Sequence, residues 1–318
     1  MLVNLVPEFL ATLAAPDPSA AYHEYLDRHR PVLSAYWQNY VLDPESPHAE
    51  PIIDAALRAD RSDLKRLLED VDVVAVAEDG LRRATEMLEA DCPLDLYLMV
   101  GVGAANAGEL VVGGRGIAFV CLEHFTGRAN AQTYGMGLAP ALLPLWIAHE
   151  VAHALRYTSP TSRAAIRRLI GELGGSGGGY YDGWELGSRA TLRELVVNEG
   201  AAIAAAQAVA PGFDPWEYFG YNRRQYRRLR ELDAFLRRAS AIDLESTGLG
   251  LRLRYLSGGM SPAARLLAGK VLPERSGYYL GLRLVENYFA EHGAASTVRA
   301  AVEELRQADD RASGIQTA

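Results

Sequence analysis

Two histidines four residues apart, with a glutamate directly after the first, stand in the run LPLWIAHEVAHALRY, Leu143–Tyr157. On a helix, residues four apart share a face one turn apart, so His149 and His153 can aim both imidazoles at a single ion. Glu150 is rotated about 100° from His149, which leaves it beside that ion and free to hold a water. These are the mechanics of the HExxH motif: two zinc ligands and a general base. With seven histidines in 318 residues, chance produces the pattern in on the order of 1% of such chains, so the spacing points to function rather than accident.

A catalytic zinc needs a third protein ligand. The only histidine beyond His153 is His292, which rules out a third histidine close behind the motif. An acid on a second helix is the other solution, and the helical run Ser188–Val209 offers Glu194 and Glu199. Glu199 shares its face with Leu192, Leu195, Val196, Ala202 and Ile203. A carboxylate in such company survives only when paired or bound to a metal. Glu194 lies about 140° round the helix, on the side expected to meet solvent. Glu199 is therefore the expected ligand. Gly200 and the alanines at 201, 202 and 204–206 are expected to let this helix approach the HEVAH helix closely.

Two neutral histidines and a carboxylate leave Zn²⁺ one position for water, with Glu150 placed to accept a proton. A donor for the oxyanion is sought in SGYYLGLRLVENYF, Ser276–Phe289. Tyr278 is the candidate there, with Arg283 as substitute and Tyr279 beside it.

The elements that must position these residues read as mostly helical α+β. Ala20 to about Leu88 carries apolar residues at three and four spacing and predicts a helical N-terminal lobe over residues 1–90, with 91–318 as the core that holds the motif. LDLYLMVGVG, ELVVGG and RGIAFVCL predict a small sheet over Leu94–Leu122. A helix from about Pro140 to Tyr157 is expected to follow, closed by Ser159-Pro160. Its Leu143, Ile147, Val151 and Leu155 are expected to face the core. Trp146, His149, His153 and Arg156 or Tyr157 are expected to face the cleft. The glycine-rich Gly171–Gly187 reads as a flexible loop, and GLGLRLRYL, Gly248–Leu256, as a possible strand.

At this point HEVAHALR, LVVNEGAA, RYLSGG and GYYLGLRLVENY together resemble a bacterial family of predicted zinc-dependent proteases without established function. The likeness covers roughly residues 149–288. More broadly, the Asn198-Glu199 pair resembles the Asn-Glu of thermolysin-type gluzincins. That likeness implies a gluzincin-like catalytic core with Glu199 as ligand. Gluzincins place an aspartate one turn after that glutamate to orient a histidine, whereas this chain has Ile203. Asp182 or a backbone carbonyl is the expected replacement.

The bulk numbers narrow the alternatives. A net charge of −8 offers no electrostatic footprint for nucleic acid, and the seven arginines of YNRRQYRRLRELDAFLRR are interrupted by Glu231 and Asp233. The apolar N-terminal stretch has no basic flank, no run is long enough for a membrane span, and Cys92 and Cys121 stand in no ligand spacing. A cytoplasmic protein acting on peptides or proteins is expected. The alternatives are a non-catalytic zinc-containing binding module, in which Glu150 has no purpose, and a hydrolase of a non-peptide amide, which uses identical residues. For a peptide substrate, Arg115–Leu122 is the expected edge for an extended chain to pair against, with His124 and Phe125 near its end.

Overall fold

The apolar runs of the sequence become the layers that hold the motif. The structure, a computed structural model, describes residues 1–130, 135–176 and 179–312. A short strand β1 (Leu2–Asn4) is followed by helices α1 (Val6–Leu13), α2 (Pro18–Arg28), α3 (Arg30–Tyr36), α4 (Ala49–Arg58), α5 (Ser62–Asp70) and α6 (Val73–Met87). Strands β2 (Leu94–Met99), β3 (Ala107–Val112) and β4 (Arg115–Cys121) come next, then the small pair β5 (Ala129–Asn130) and β6 (Gly135–Met136). The helices α7 (Leu143–Thr158), α8 (Ala165–Ser176), α9 (Gly183–Arg189), α10 (Leu192–Val209), α11 (Arg223–Glu231), α12 (Asp233–Ser240) and α13 (Leu249–Leu256) follow. A second small pair, β7 (Leu266–Leu267) and β8 (Lys270–Val271), precedes α14 (Ser276–Arg299) and α15 (Val302–Ala312). The fold is mostly helical α+β, as expected.

The main sheet has the order β1-β2-β4-β3, with β2 parallel to both neighbours and β3 antiparallel to β4. Leu96, Leu98, Phe119 and Val120 are fully buried, the continuous burial of strands covered on both faces. The Leu94–Leu122 sheet is present. In one respect the expectation is corrected: β4 lies inside the sheet, hydrogen-bonded on both sides, and offers no edge to a peptide. The edge nearest the motif helix is β3.

The motif helix α7 starts with Pro144 in its first turn and ends at Ser159, just before Pro160. Every residue from Leu145 to Tyr157 is buried, because β3 and β4 cover one side while α6 and α10 cover the others. The expected division into a core face and a cleft face is thus replaced by a helix buried all round. Burying Leu145, Ile147 and Leu155 contributes roughly 1.5–3 kcal/mol each. That gain offsets the cost of keeping His149, Glu150, His153 and Arg156 away from water.

Helix α10 is capped by Thr191, whose hydroxyl accepts from the Glu194 amide at 3.2 Å. It packs against both α7 and α14. The close approach that glycine permits falls on the second of these, a correction to the expected partner. A methyl group on Gly281 of α14 would overlap the Val196 carbonyl, and one on Gly200 would overlap the Gly281 backbone.

Two further readings are corrected. Residues 165–176 and 183–189 within and beside the glycine-rich stretch are helical, pinned by an apolar cluster of Tyr157, Ile166, Ile170, Leu173 and Leu186. Gly177 and Gly178 lie outside the described residues. Leu249–Leu256 is the helix α13, packed on α9 and α14, and not a strand. One apolar core runs from Leu5 to Ala308 and includes side chains from both α1–α6 and the later elements. Both cysteines are free thiols. Among the described residues, no helix is long and apolar enough to cross a membrane.

Candidate metal centre

His149 and His153 extend from consecutive turns of α7 with their Nε2 atoms 3.1 Å apart. From α10, Glu199 Oε2 lies 3.4 Å from each of those nitrogens, without hydrogen-bond geometry to either. In a tetrahedral site with bonds of about 2.0–2.1 Å, donor atoms stand roughly 3.3 Å from one another. The three donors thus already hold the spacing that one small ion requires, and they form a possible metal-binding group. Glu199 is the acid that completes it.

Electrostatics point the same way. Burial draws His149 down to about 4 despite the hydrogen-bonding reach of Glu199. Burial also opposes charge on His153, but the carboxylates of Glu199 and Glu109 outweigh it and hold the ring up at about 10. Burial works to raise Glu199, and the two histidines pull it below the usual carboxylate range. The trio thus pairs a protonated His153 with an ionised Glu199, and a cation bound between them would take the place of that proton.

Glu194 is not the solvent-facing residue the helical wheel implied. It is buried, with Oε1 accepting from Arg156 Nη2 at 3.0 Å, and Arg156 is itself 1% exposed. Arg156 also donates to the carbonyls of Val298 and Ala300 at 3.0 and 2.9 Å. Arg156 therefore leaves the cleft, and Tyr157 is the member of that expected pair which faces it.

Glu150 is buried beside His153. Burial raises its carboxyl well above the ordinary value; His153 opposes this, while Glu109 and Glu199 add to it. Glu109 on β3 was not singled out from the sequence. Its carboxylate, Glu150 and His153 bring their polar atoms within 4.8 Å of one another. The available signal was that Glu109 is the only charged residue of β3.

Tyr278, at the start of α14, stacks on His149 with rings 14° from parallel and centroids 6.4 Å apart. Burial, then Glu199, lifts its hydroxyl well above the ordinary tyrosine value, so it remains a hydrogen-bond donor. Arg275 lies 4.3 Å from the Tyr278 ring centroid and takes a left-handed backbone conformation, φ 55°, at the helix start. No motif or spacing singled it out beforehand. Arg283, the expected substitute, is instead committed to Asp233 at 3.2 Å and to Glu286. Tyr279 packs among Phe219 and Tyr226.

Two other expectations are corrected. Asp182 caps α9, accepting from the Trp184 and Glu185 amides, and orients neither histidine. No backbone carbonyl does so either: Nδ1 of both rings is buried without a hydrogen-bond partner among the described residues. Phe125 and His124 do lie near the end of β4, buried at the turn that packs on α5.

A cavity of about 130 Å³ opens beside the triad, lined by Glu109, Tyr157, Asn198, Glu199 and Tyr278 among others. A larger opening of about 1030 Å³ lies between α8 and the β3–β4 turn and shares only Tyr157 and Tyr181 with it. The smaller one is lined by Glu199 and by Tyr278, both half-buried. No family model, curated protein or solved structure matches this chain.

Proposed function

We propose that this protein is a zinc metallopeptidase in which His149, His153 and Glu199 hold the ion and Glu150 is the general base. The observation that carries the reading is the convergence of two Nε2 atoms and one carboxylate oxygen at 3.1, 3.4 and 3.4 Å, with two further acidic groups, Glu109 and Glu150, alongside. Zinc bound there would supply a Lewis acid and lower the pKa of a water. The protein's own residues do the rest. Glu150 takes the proton from the attacking water and returns it to the leaving amine; a carboxyl raised by burial is a stronger base for that work. Tyr278 donates its hydroxyl hydrogen to the oxygen that gains negative charge, in a pocket where water is scarce. Arg275 stands behind that phenol and favours negative charge on the same side.

The test is Glu150→Gln measured against a peptide library. The variant is expected to keep its zinc and lose about 10²- to 10⁴-fold in turnover, the usual worth of a positioned base. Wild-type protein that holds zinc and cleaves no peptide would refute the peptidase reading.

A further inference from the structure

We propose that Glu109 and Asn198 form a receptor for an ammonium group of the substrate, seated beside the metal ligands. The inference rests on the peptidase reading for its chemistry and on its own geometry for the binding site.

The hydrogen bonds around Glu109 fix what the receptor lacks. Tyr157 donates its hydroxyl hydrogen to Glu109 Oε1 at 3.0 Å, and Tyr40 donates to Oε2 at 2.9 Å. Each carboxylate oxygen keeps acceptor capacity for one more donor. Because the Tyr157 hydrogen is spent on Glu109, Asn198 must present its amide nitrogen to that hydroxyl, at 2.8 Å. Asn198 Oδ1 is left buried and without a partner, in a side chain 4% exposed that lines the same cavity. The wall therefore offers a carboxylate with acceptor capacity to spare and an amide oxygen that no hydrogen bond among the described residues fills.

The donor they require is cationic. Among the described residues no lysine or arginine lies within ion-pair distance of Glu109. The one cation lining the cavity, Arg252, is turned to the Gly183 carbonyl at 2.8 Å and to the Trp184 ring. Three acidic side chains, Glu109, Glu150 and Glu199, meet around the site. An ammonium has three donors and no acceptor, which matches this wall, whereas an acyl or carboxylate group would leave it unsatisfied.

Size and edge chemistry say which part of a substrate enters. About 130 Å³ is well below the roughly 300–1,000 Å³ of pockets that hold whole drug-sized ligands, so an end group enters rather than a passing chain. Strand pairing is closed off as well. The Tyr40 oxygen accepts from the Glu109 amide at 3.0 Å, and the Tyr181 hydroxyl donates to the Glu109 carbonyl at 3.4 Å, so β3 cannot add a substrate strand at this position. The ammonium can come from a free peptide N-terminus or from a basic side chain.

Calorimetric titration of the zinc-loaded protein with three probes decides the matter: leucinamide, Nα-acetyl-lysinamide and N-acetyl-leucinamide. At least one of the two ammonium probes is expected to bind about tenfold or more tightly than N-acetyl-leucinamide, the worth of a charge-assisted hydrogen bond. Preference for leucinamide identifies the α-ammonium, and preference for the lysine derivative identifies the side chain. Glu109→Gln is expected to erase the preference with its zinc content unchanged. Tyr40→Phe keeps the carboxylate and is expected to retain the preference within about threefold. Equal binding of all three probes by wild type overturns the receptor, as does a preference that survives Glu109→Gln. Either result leaves the zinc peptidase reading standing, because that reading is judged by Glu150→Gln; conversely, ammonium selectivity without hydrolysis removes the peptidase and keeps the receptor.

Discussion

Replacing each of the two glutamates of α10 by alanine should separate metal binding from stability. Glu194→Ala removes the only carboxylate paired with Arg156, a guanidinium 1% exposed whose remaining partners are two backbone carbonyls. Leaving one member of a buried pair uncompensated costs roughly 3–5 kcal/mol. An unfolding entropy of about 2.1 cal/mol/K per residue over 318 residues turns that into a fall in melting temperature of about 4–8 °C. Its zinc content should remain near one per chain, since the side chain faces away from the triad. Glu199→Ala should behave in the opposite way. It loses the ion. The assays are elemental analysis of dialysed protein and calorimetric melting of metal-free samples. A control sharpens the reasoning: Arg156→Met with Glu194→Leu should recover most of the stability lost in Glu194→Ala. Zinc lost from Glu194→Ala but kept by Glu199→Ala, or a double variant no more stable than the single, would refute the assignment of the two acids.

Gly281→Ala should cost about 3 kcal/mol or more and weaken zinc binding with it, since the methyl group must push α10 and its Glu199 away from α14; urea unfolding and zinc content check this together. Because His153 is held protonated up to about 10 in the metal-free protein, an incoming ion must displace that proton. Apparent zinc affinity should thus climb about tenfold per pH unit between roughly pH 6 and 9, read by competition with a chromophoric chelator, and a flat profile would contradict the charge balance drawn for the triad. Away from the site, burial lifts the Glu123 carboxyl to about 7 against the pull of Arg61. A folded-state value raised above the ordinary 4.5 gives stability that is complete below about 4.5 and lost as the pH rises through 7, worth roughly 3 kcal/mol. Urea midpoints at pH 5 and pH 8 should show that loss in wild type and its absence in Glu123→Gln.

The candidate metal ligands were legible in the sequence because they depend on local geometry. The spacing of His149 and His153 places two imidazoles on adjacent turns of any helix, and Glu150 follows from the same pitch. Glu199 was legible from its apolar neighbours along α10, where a bare carboxylate would be costly. The sheet announced itself through long apolar runs, whereas β1, three residues long, carries too little pattern to be seen. Leu249–Leu256 misled because leucine alternating with glycine or arginine fits a strand by period, yet α9 and α14 receive it as a helix.

What only the tertiary structure decided concerns partners that come from elsewhere in the chain. A helical wheel assumes one wet face, and α7 and α10 have none, so Glu194 could not be told apart as the partner of Arg156 by rotation alone. Gly200 advertises a close approach without saying to which helix, and the packing assigned it to α14. Tyr278 was one of three candidates on its helix until stacking on His149 chose it and ion pairs removed Arg283. Glu109 and Asn198 are 89 positions apart in the chain and meet only through Tyr157. Sequence spacing dictates what one helix can offer to an ion; which other charges surround that ion is settled by the long-range packing of sheet and helices.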